Sequence, residues 1–392
     1  MSAREIKKDI YWVGAVDWDL RNFHGYITPR GTSYNAYLII DKKITVVDTV
    51  KNYCFEEMLA NIKEIIDPAE IDYLVINHVE MDHAGSIPEL AKAAPRAKIV
   101  TSAKGQKGLE RYFRNTWDYR LVKSGDSLSL GRYTLNFVHT PMVHWPDSMA
   151  TYVPEAKLLL PNDAFGQHIA SYQRFDDEVG WEIIHEEAAK YYANIVLPYG
   201  RQVLKALEAL GGLDIDMVAP SHGLIWRTFL PRILEVYPKW AGHETEKKAL
   251  IVYDTMWGST KNIALQLKTG LESAGMPVTL RSLQTSHISE IVADMLTSKA
   301  VLIGSPTLNN GMLPSIGAFL TYIRGLRPEK RIGLAFGSYG WGGQGVKETA
   351  AVMEQLGWEM PLEHININYA PDPGEDDQTR ETGAKLARII LE

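Results

Sequence analysis

The strongest constraint on the fold is a rhythm that begins near residue 249. Five apolar runs of strand length, residues 249–253, 278–281, 300–303, 332–336 and 364–369, alternate with five segments of helical pattern, from Thr260, after His287, and over 314–325, 345–356 and 378–392. That alternation is the pattern of a doubly wound parallel sheet. A polar segment, residues 241–248 (AGHETEKK), precedes it. Up to about residue 240 the grammar differs: short apolar runs are separated by long irregular connections, and eight of the eleven histidines fall here. At about 100 to 200 residues per domain, the length fits two domains. The boundary is set near residue 246, giving domains 1–245 and 246–392. There is no internal repeat, and residues 371–377 (PDPGEDD) read as an acidic turn.

With 45% hydrophobic and 23% charged residues the chain has the material for full cores, and disorder or collagen-like repetition is excluded. No apolar stretch approaches the ~18 residues a membrane helix needs, and residues 1–19 hold no apolar signal region. The expectation is a soluble, cytoplasmic protein with no membrane partner. Cys54 is the single cysteine, so there is no intramolecular disulfide and no thiolate cluster, and any metal must sit on histidine and carboxylate. A formal charge of -7 gives no general affinity for phosphate backbones, and nucleic acid is not expected as a partner.

Residues 73–76 are a strand candidate, and His78, Glu80, Asp82 and His83 follow directly, two acids and two imidazoles within six residues. Three further apolar runs end the same way: 134–138 leads to His144, 158–160 to Asp163, and 217–219 to His222. Any one of these histidines alone would more often be a core or loop residue. Four strand ends converging on one sheet edge, however, would gather four imidazoles and three carboxylates. That is too many for one tetrahedral zinc and suits two metals sharing a bridging carboxylate, for which Asp163 is the candidate. His24, in the stretch FHGY at 23–26, is expected just outside the ligands.

The set His78-x-Glu80-x-Asp82-His83, followed by His144, Asp163 and His222, resembles the metallo-β-lactamase fold, an αββα sandwich with a dinuclear site at its edge. One position departs from it. Most hydrolases of that fold have a second histidine where this chain has Glu80, and the exchange replaces a borderline nitrogen with a hard oxygen, which favours iron over zinc. Three carboxylates and a bridging hydroxide would also roughly neutralise two divalent ions, so redox chemistry is expected over hydrolysis.

In the second half, three loops follow strands one, three and four: Thr255-Met256-Trp257-Gly258-Ser259-Thr260, then Gly304-Ser305-Pro306-Thr307-Leu308-Asn309-Asn310-Gly311, then Gly337-Ser338-Tyr339-Gly340-Trp341-Gly342-Gly343. The first is a turn of small hydroxyl residues whose oxygens and backbone N–H groups suit a phosphate at a helix N-terminus. It is neither a Walker loop nor a Gly-x-Gly-x-x-Gly turn, so nucleoside triphosphate and NAD lose support. In the other two, glycines let backbone approach a planar ligand, and Tyr339 and Trp341 offer ring faces. Together they resemble a flavodoxin domain binding FMN at its switch point.

The two resemblances joined in one chain are the architecture of the flavodiiron proteins. FHGY, HWPDSM (144–149), YYANIV (191–196), GSPTLNNG and AFGSYGWGG look like that family's own segments, closest to the rubredoxin:oxygen oxidoreductases. The resemblance implies an enzyme in which FMN feeds a non-haem diiron centre that reduces dioxygen to water, nitric oxide to nitrous oxide, or both. It implies that His78, Glu80 and His144 hold one iron, that Asp82 and His222 hold the other, and that Asp163 bridges them. Family members differ over whether the histidine at the place of His83 binds iron. Tyr192 is a candidate hydrogen-bond donor beside the metals, with a packed core tyrosine as the alternative.

Three rivals stand beside this reading. A zinc hydrolase with an appended flavodoxin has Glu80 and the flavin loops against it, an electron carrier or gas sensor would show no turnover, and a flavin reductase fed directly by NADH lacks a nicotinamide fingerprint. The chain also lacks the two Cys-x-x-Cys pairs of a fused rubredoxin, so electrons are expected from a separate, rubredoxin-like donor. By resemblance the working unit is a head-to-tail homodimer, or a dimer of such dimers, in which Trp341 would face the partner's metal domain.

Overall fold

In the computed structural model, which describes residues 2–392, the chain divides into two units. One runs to Tyr192 and includes Tyr199–Pro238, and the other comprises Ala193–Pro198 with Lys239–Glu392. Two sheets form the frame of the first unit. The larger has seven strands in the order Arg4–Lys7, Ile10–Trp12, Tyr37–Ile39, Ile44–Val47, Ile71–Val75, Lys98–Thr101 and Tyr119–Leu121. It is antiparallel as far as Ile44–Val47 and parallel beyond it. The smaller sheet runs Ser127–Ser129, Thr134–His139, Met149–Val153, Leu158–Leu160 and Met217–Val218.

Alternation along the strands sorts the apolar residues into two cores, because successive side chains leave opposite faces of a strand. Tyr37, Ile39, Val47, Val75 and Val100 meet Leu135, Phe137, Met149, Leu158 and Leu160 between the sheets. Their neighbours Leu38, Val46, Leu74 and Ile99 pack on the other face against Met58, Ile62, Leu90 and Leu109. Those four belong to the helices Phe55–Lys63, Ile87–Ala93 and Ala103–Phe113. With Gly200–Leu210 and Leu230–Ala241 flanking the smaller sheet, the unit is an αββα sandwich.

The second unit holds one five-stranded sheet, in the order Val278–Ser282, Glu246–Tyr253, Ser298–Gly304, Ile332–Tyr339 and Ile365–Asn368. All of its pairings are parallel. This is the order 2-1-3-4-5 of a flavodoxin-like doubly wound sheet, whose switch point lies between its first and third strands. Among the described residues no helix is long and apolar enough to cross a membrane.

Two expectations shift. Residues 373–377 are not a turn: the last helix spans Pro373–Leu391. The Asp372 carboxylate accepts from the Glu375 N–H at 2.8 Å, and the Glu375 carboxylate accepts from the Asp372 N–H at 2.9 Å. This capping box, with Pro373 in the first turn and acids near the positive end of the helix dipole, starts the helix inside the acidic run. The expected boundary at 245/246 falls at the first residue of the strand Glu246–Tyr253, whereas the unit border lies at Pro238. Hydrogen bonds account for the difference: Glu329 N–H donates to His243 Nδ1 at 3.2 Å and Lys330 Nζ to the Gly242 carbonyl at 2.6 Å, tying that segment to the second unit.

Candidate metal centre and flavin site

The strand Ile71–Val75 delivers the first candidate ligands. Beyond its end, Asn77 is fixed on the buried Asp48, whose carboxylate accepts from the Asn77 backbone N–H at 2.8 Å and its amide at 3.0 Å. His78 follows, and Glu80 caps the short helix Met81–Ala84 that carries Asp82 and His83. The Thr49 N–H donates to the His83 carbonyl at 3.0 Å, which fixes that turn. From the smaller sheet come His144, Asp163 and His222, each in the loop after a strand.

All seven candidate ligands converge, in two clusters. His78, Glu80, His144 and Asp163 present ligand atoms within 4.8 Å of one another, and so do Asp82, His83 and His222. Asp163 spans both. Its Oδ2 lies 3.6 Å from His78 Nε2 and 3.3 Å from His144 Nε2, while Oδ1 lies 2.9 Å from His83 Nε2 and 3.5 Å from His222 Nε2. Glu80 Oε2 is 3.3 Å from both His78 Nε2 and His144 Nε2, and Asp82 Oδ2 is 3.1 Å from His222 Nε2. His24 is exposed, with Nε2 3.4 Å from Glu80 Oε1.

The protonation logic of the cluster calls for cations. His222 Nδ1 lies 2.9 Å from the Ser33 carbonyl, which can only accept, so that nitrogen carries a proton and Nε2 faces Asp82. Asp82 is buried with neither oxygen hydrogen-bonded, and Asp163 Oδ2 is likewise without a donor. Buried carboxylate oxygens facing imidazole nitrogens across 3.1 to 3.6 Å need a positive charge between them, a proton or a metal. A set of four nitrogens and three carboxylates, with one carboxylate common to both clusters, fits a pair of metal ions of the hard-to-borderline class.

Without metal, protons take that role. Burial alone would push the His78 imidazole down, but hydrogen bonds to Asp147 and Glu80 and the charge of Asp163 raise it to about 10. His144 is raised to about 10 against its burial by Asp163 and Glu80, and His83 to about 9 by Asp82 and Asp163. In return, burial of Asp163 is outweighed by His83 and His144, which hold its carboxyl well below the usual range. Asp82 and Glu80 are lowered in the same way, against burial, by His83 and His222 and by His144 and His78 respectively.

Three residues that sequence reasoning missed orient this cluster. Asp147 Oδ2 lies 3.0 Å from His78 Nδ1 and also accepts the Val79 N–H at 2.9 Å. It stands inside the HWPDSM stretch, so the segment was visible although the residue was not singled out. Ser33 acts through its backbone carbonyl and leaves no residue-type signal. The third is a correction: Tyr191, not Tyr192, reaches the metal cluster. The Tyr191 hydroxyl donates to Asp163 Oδ1 at 3.1 Å, whereas the Tyr192 ring packs edge-on against Tyr237, 4.9 Å between centroids.

At the carboxyl edge of the sheet in the second unit, a cavity of about 860 Å³ opens between the loops. That is the size of a cofactor site. Met256, Trp257 and Ser259 line it from the first loop, Pro306 to Asn310 from the second, and Ser338 to Gly342 from the third. Trp257 and Trp341, 93% and 91% exposed, flank it, a poise that suits stacking on a planar ligand. Tyr369 and Ala370, beyond the fifth strand, complete the lining and were not anticipated.

Five expected residues stand behind the lining. Thr255 Oγ1 accepts the Gly258 N–H at 3.1 Å, Thr260 Oγ1 is buried 3.1 Å from Ser338 Oγ, Gly311 pairs with Leu308 in a hairpin, and the Gly343 carbonyl accepts from Asn366 Nδ2 at 3.1 Å. These hydroxyls and glycines hold the loops in shape.

The family model described as ODP family beta lactamase matches residues 32–223, and the flavodoxin model matches residues 251–383. The nitric oxide reductase of Moorella thermoacetica is 46% identical over 99% of this chain and 98% of its own length. The solved structure of rubredoxin oxygen:oxidoreductase from Desulfovibrio gigas superposes with a TM-score of 0.97 at 41% identity, covering 100% of this chain and 99% of that one. The flavodiiron protein from Giardia intestinalis does so with a TM-score of 0.97 at 34% identity, covering 100% and 97%. Likeness of this extent through both units and both sites makes the chain a member of the flavodiiron protein family.

Proposed function

We propose that this chain reduces dioxygen to water, nitric oxide to nitrous oxide, or both, at a pair of irons supplied with electrons through FMN. The observation that carries the reading is the Asp163 carboxylate, which offers one oxygen to each of two ligand clusters. His78, Glu80 and His144 would hold one iron, Asp82, His83 and His222 the other, and Asp163 both. Iron held there supplies a seat for a diatomic molecule and, with FMN, the electrons for its reduction. The names of the relatives, a nitric oxide reductase and a rubredoxin oxygen:oxidoreductase, support both substrates and a rubredoxin-like donor.

The chain's own residues do the positioning. Asp147 on His78 and the Ser33 carbonyl on His222 turn Nε2 of each ring inward and fix its tautomer. Burial and the surrounding carboxylates push the Tyr191 phenol well above its usual value, so its O–H stays on as a donor to Asp163. Glu80 and His144 are the ligands with partial exposure, and they mark the side on which water and substrate reach the cluster. Reduction of one dioxygen to two waters takes four electrons and four protons, and joining two nitric oxides into nitrous oxide and water takes two of each.

The metal chemistry is assigned to residues 1–245 and the flavin to residues 246–392. Domains of about 245 and 145 residues have radii of gyration near 18 and 15 Å, so the two cofactors of one chain could stand tens of ångströms apart. A closed head-to-tail dimer would set each flavin beside the other subunit's iron and form both junctions at once. A cytoplasmic setting suits a chain whose one cysteine is a buried free thiol.

Purified protein should hold about two irons and one FMN per chain, as the ligand set and the flavin cavity require. It should consume dioxygen or nitric oxide when given rubredoxin and its NADH-dependent reductase. Zinc in the site after iron-replete expression, or no flavin, refutes the assignment, and fast turnover on NADH alone refutes the separate donor. For the dimer, one variant is made flavin-free through Thr255 and Gly258 and another metal-free through His78 and Asp163. Mixed dimers should regain part of the activity, and mixed dimers without recovery would place electron transfer within one chain.

A further inference from the structure

Beneath the helix Gly200–Leu210 lies a cavity of about 20 Å³, walled on the helix side by Val203, Ala206 and Leu207 and on the other by Val143, Ala164 and Phe165. The wall residues of the helix recur at helical spacing, and the short Ala206 in the middle of that face leaves the gap. Of its polar edges, the Tyr237 hydroxyl is already engaged, accepting the Phe165 N–H at 3.1 Å. The volume just exceeds the ~10 to 15 Å³ that one water-sized particle needs, but a water also needs two to four polar partners, and nine of the eleven lining residues are apolar, Thr140 and Tyr237 being the exceptions. A small apolar molecule gives up no hydrogen bonds by entering.

The cavity sits directly behind two ligand loops. Val143 precedes His144 in the chain, and Ala164 and Phe165 follow Asp163. The turn that carries them closes with the Gly166 N–H on the Asp163 carbonyl at 3.0 Å. A Cβ at Gly166 would stand 3.3 Å from the Tyr191 ring and 3.6 Å from His222 Cβ. One four-residue turn thus joins the carboxylate shared by both clusters, two cavity walls and a close contact to the metal side. On the opposite side Ala206 and Leu207 are half-buried, so one layer of side chains separates the cavity from solvent.

We infer that this cavity is a binding site for a diatomic gas, where dioxygen or nitric oxide waits behind the loops of His144 and Asp163; the inference rests on the reductase activity proposed above. The probe is xenon. Crystals of the wild type under xenon pressure should show the gas in this cavity, in metal-depleted as in iron-loaded protein, and crystals of A206F should not. In solution, A206F should retain iron, FMN and kcat while its KM for dioxygen rises about threefold or more, the signature of binding lost equally from ground and transition states. L207A widens the cavity and should take up more xenon with no rise in KM, which keeps the test standing should A206F fail to fold. No xenon in the wild-type cavity overturns the inference. So does a folded A206F that excludes xenon yet keeps its KM within about twofold, and so does an L207A that takes up no more xenon than wild type. Wild type holding iron and FMN but reducing neither gas refutes the reductase reading, and the occupant's identity with it, whatever xenon shows.

Discussion

Loading iron into the metal-free protein at pH 7 should expel about three protons per chain. The number follows from the cluster's charges. His78 and His144 are raised to about 10 and His83 to about 9, so all three imidazoles are protonated at neutral pH, while Glu80, Asp82 and Asp163 are lowered and already ionised. Metal can bind an imidazole nitrogen only after its proton leaves. Titration of ferrous iron under anaerobic conditions, in buffers of different ionisation heat, gives the protons released as the slope of apparent enthalpy against buffer enthalpy. The summed logarithm of affinity should climb by about 3 per pH unit near pH 7 and level off above pH 10. Release of one proton or fewer, with both irons bound, would refute the reasoning.

The same shifts set the sign for the stability of the metal-free protein. An imidazole whose folded pKa lies above its unfolded value contributes stability that is complete below about pH 6.5 and lost as pH rises through the folded value. For this cluster the loss runs from about pH 6.5 up to the folded values of about 9 and about 10. The lowered carboxylates act in reverse, stabilising above about pH 4 and losing that contribution in acid. The melting temperature of metal-free protein should therefore hold between about pH 4 and about pH 6.5 and fall from there toward pH 10, a fall that iron loading removes.

Three further outcomes follow from single contacts. Asp163→Asn should lose more iron than His24→Ala, because Asp163 faces both clusters while His24 approaches the cluster through Glu80; metal content after gel filtration decides it. Asp147→Ala should lower iron affinity ~10 to 100-fold by freeing the His78 ring, measured by chelator competition, and no change would mean that the ring is held by packing alone. Gly337→Ala should destabilise the second unit by about 1 to 3 kcal/mol and weaken FMN binding. Its Cβ would fall 1.9 Å from the Ser305 carbonyl oxygen, on the backbone of the second flavin loop, and urea unfolding with flavin fluorescence reads both effects.

The convergence of the seven candidate ligands was legible in the sequence because each combines a distinctive side chain with a distinctive place, the loop just after an apolar run. The flavin loops were legible for the same reason, since three strand ends of a parallel sheet open on one edge. That rule also covers the loop after the fifth strand, where Tyr369 and Ala370 were passed over because one tyrosine and one alanine carry no ligand signature. The start of the last helix was hidden for a related reason. Pro, Asp, Gly and Glu are turn residues by composition, and only the reciprocal Asp372 and Glu375 hydrogen bonds make them the opening of a helix.

What stayed hidden is the layer that aims the ligands. Ser33 contributes a carbonyl that any residue would supply. Asp147 is one of many acids, and it matters because a loop returns it to His78 across 69 residues. The Tyr191 and Tyr192 pair shows the limit most sharply. Buried Ile184 and Ala188 lie on the helix Trp181–Tyr191, and Tyr191 and Tyr192 follow Ile184 at i+7 and i+8, both positions of one apolar stripe. Periodicity buries the two equally. The helix then gives way to a π-turn at Tyr192–Val196, so the local winding, and with it the direction of each phenol, is set where the α-helical period no longer applies. A pattern read from sequence can say which face of a helix is buried, but which of two neighbouring hydroxyls meets Asp163 depends on the helix's rotation against the sheet, and that is fixed only when both are packed.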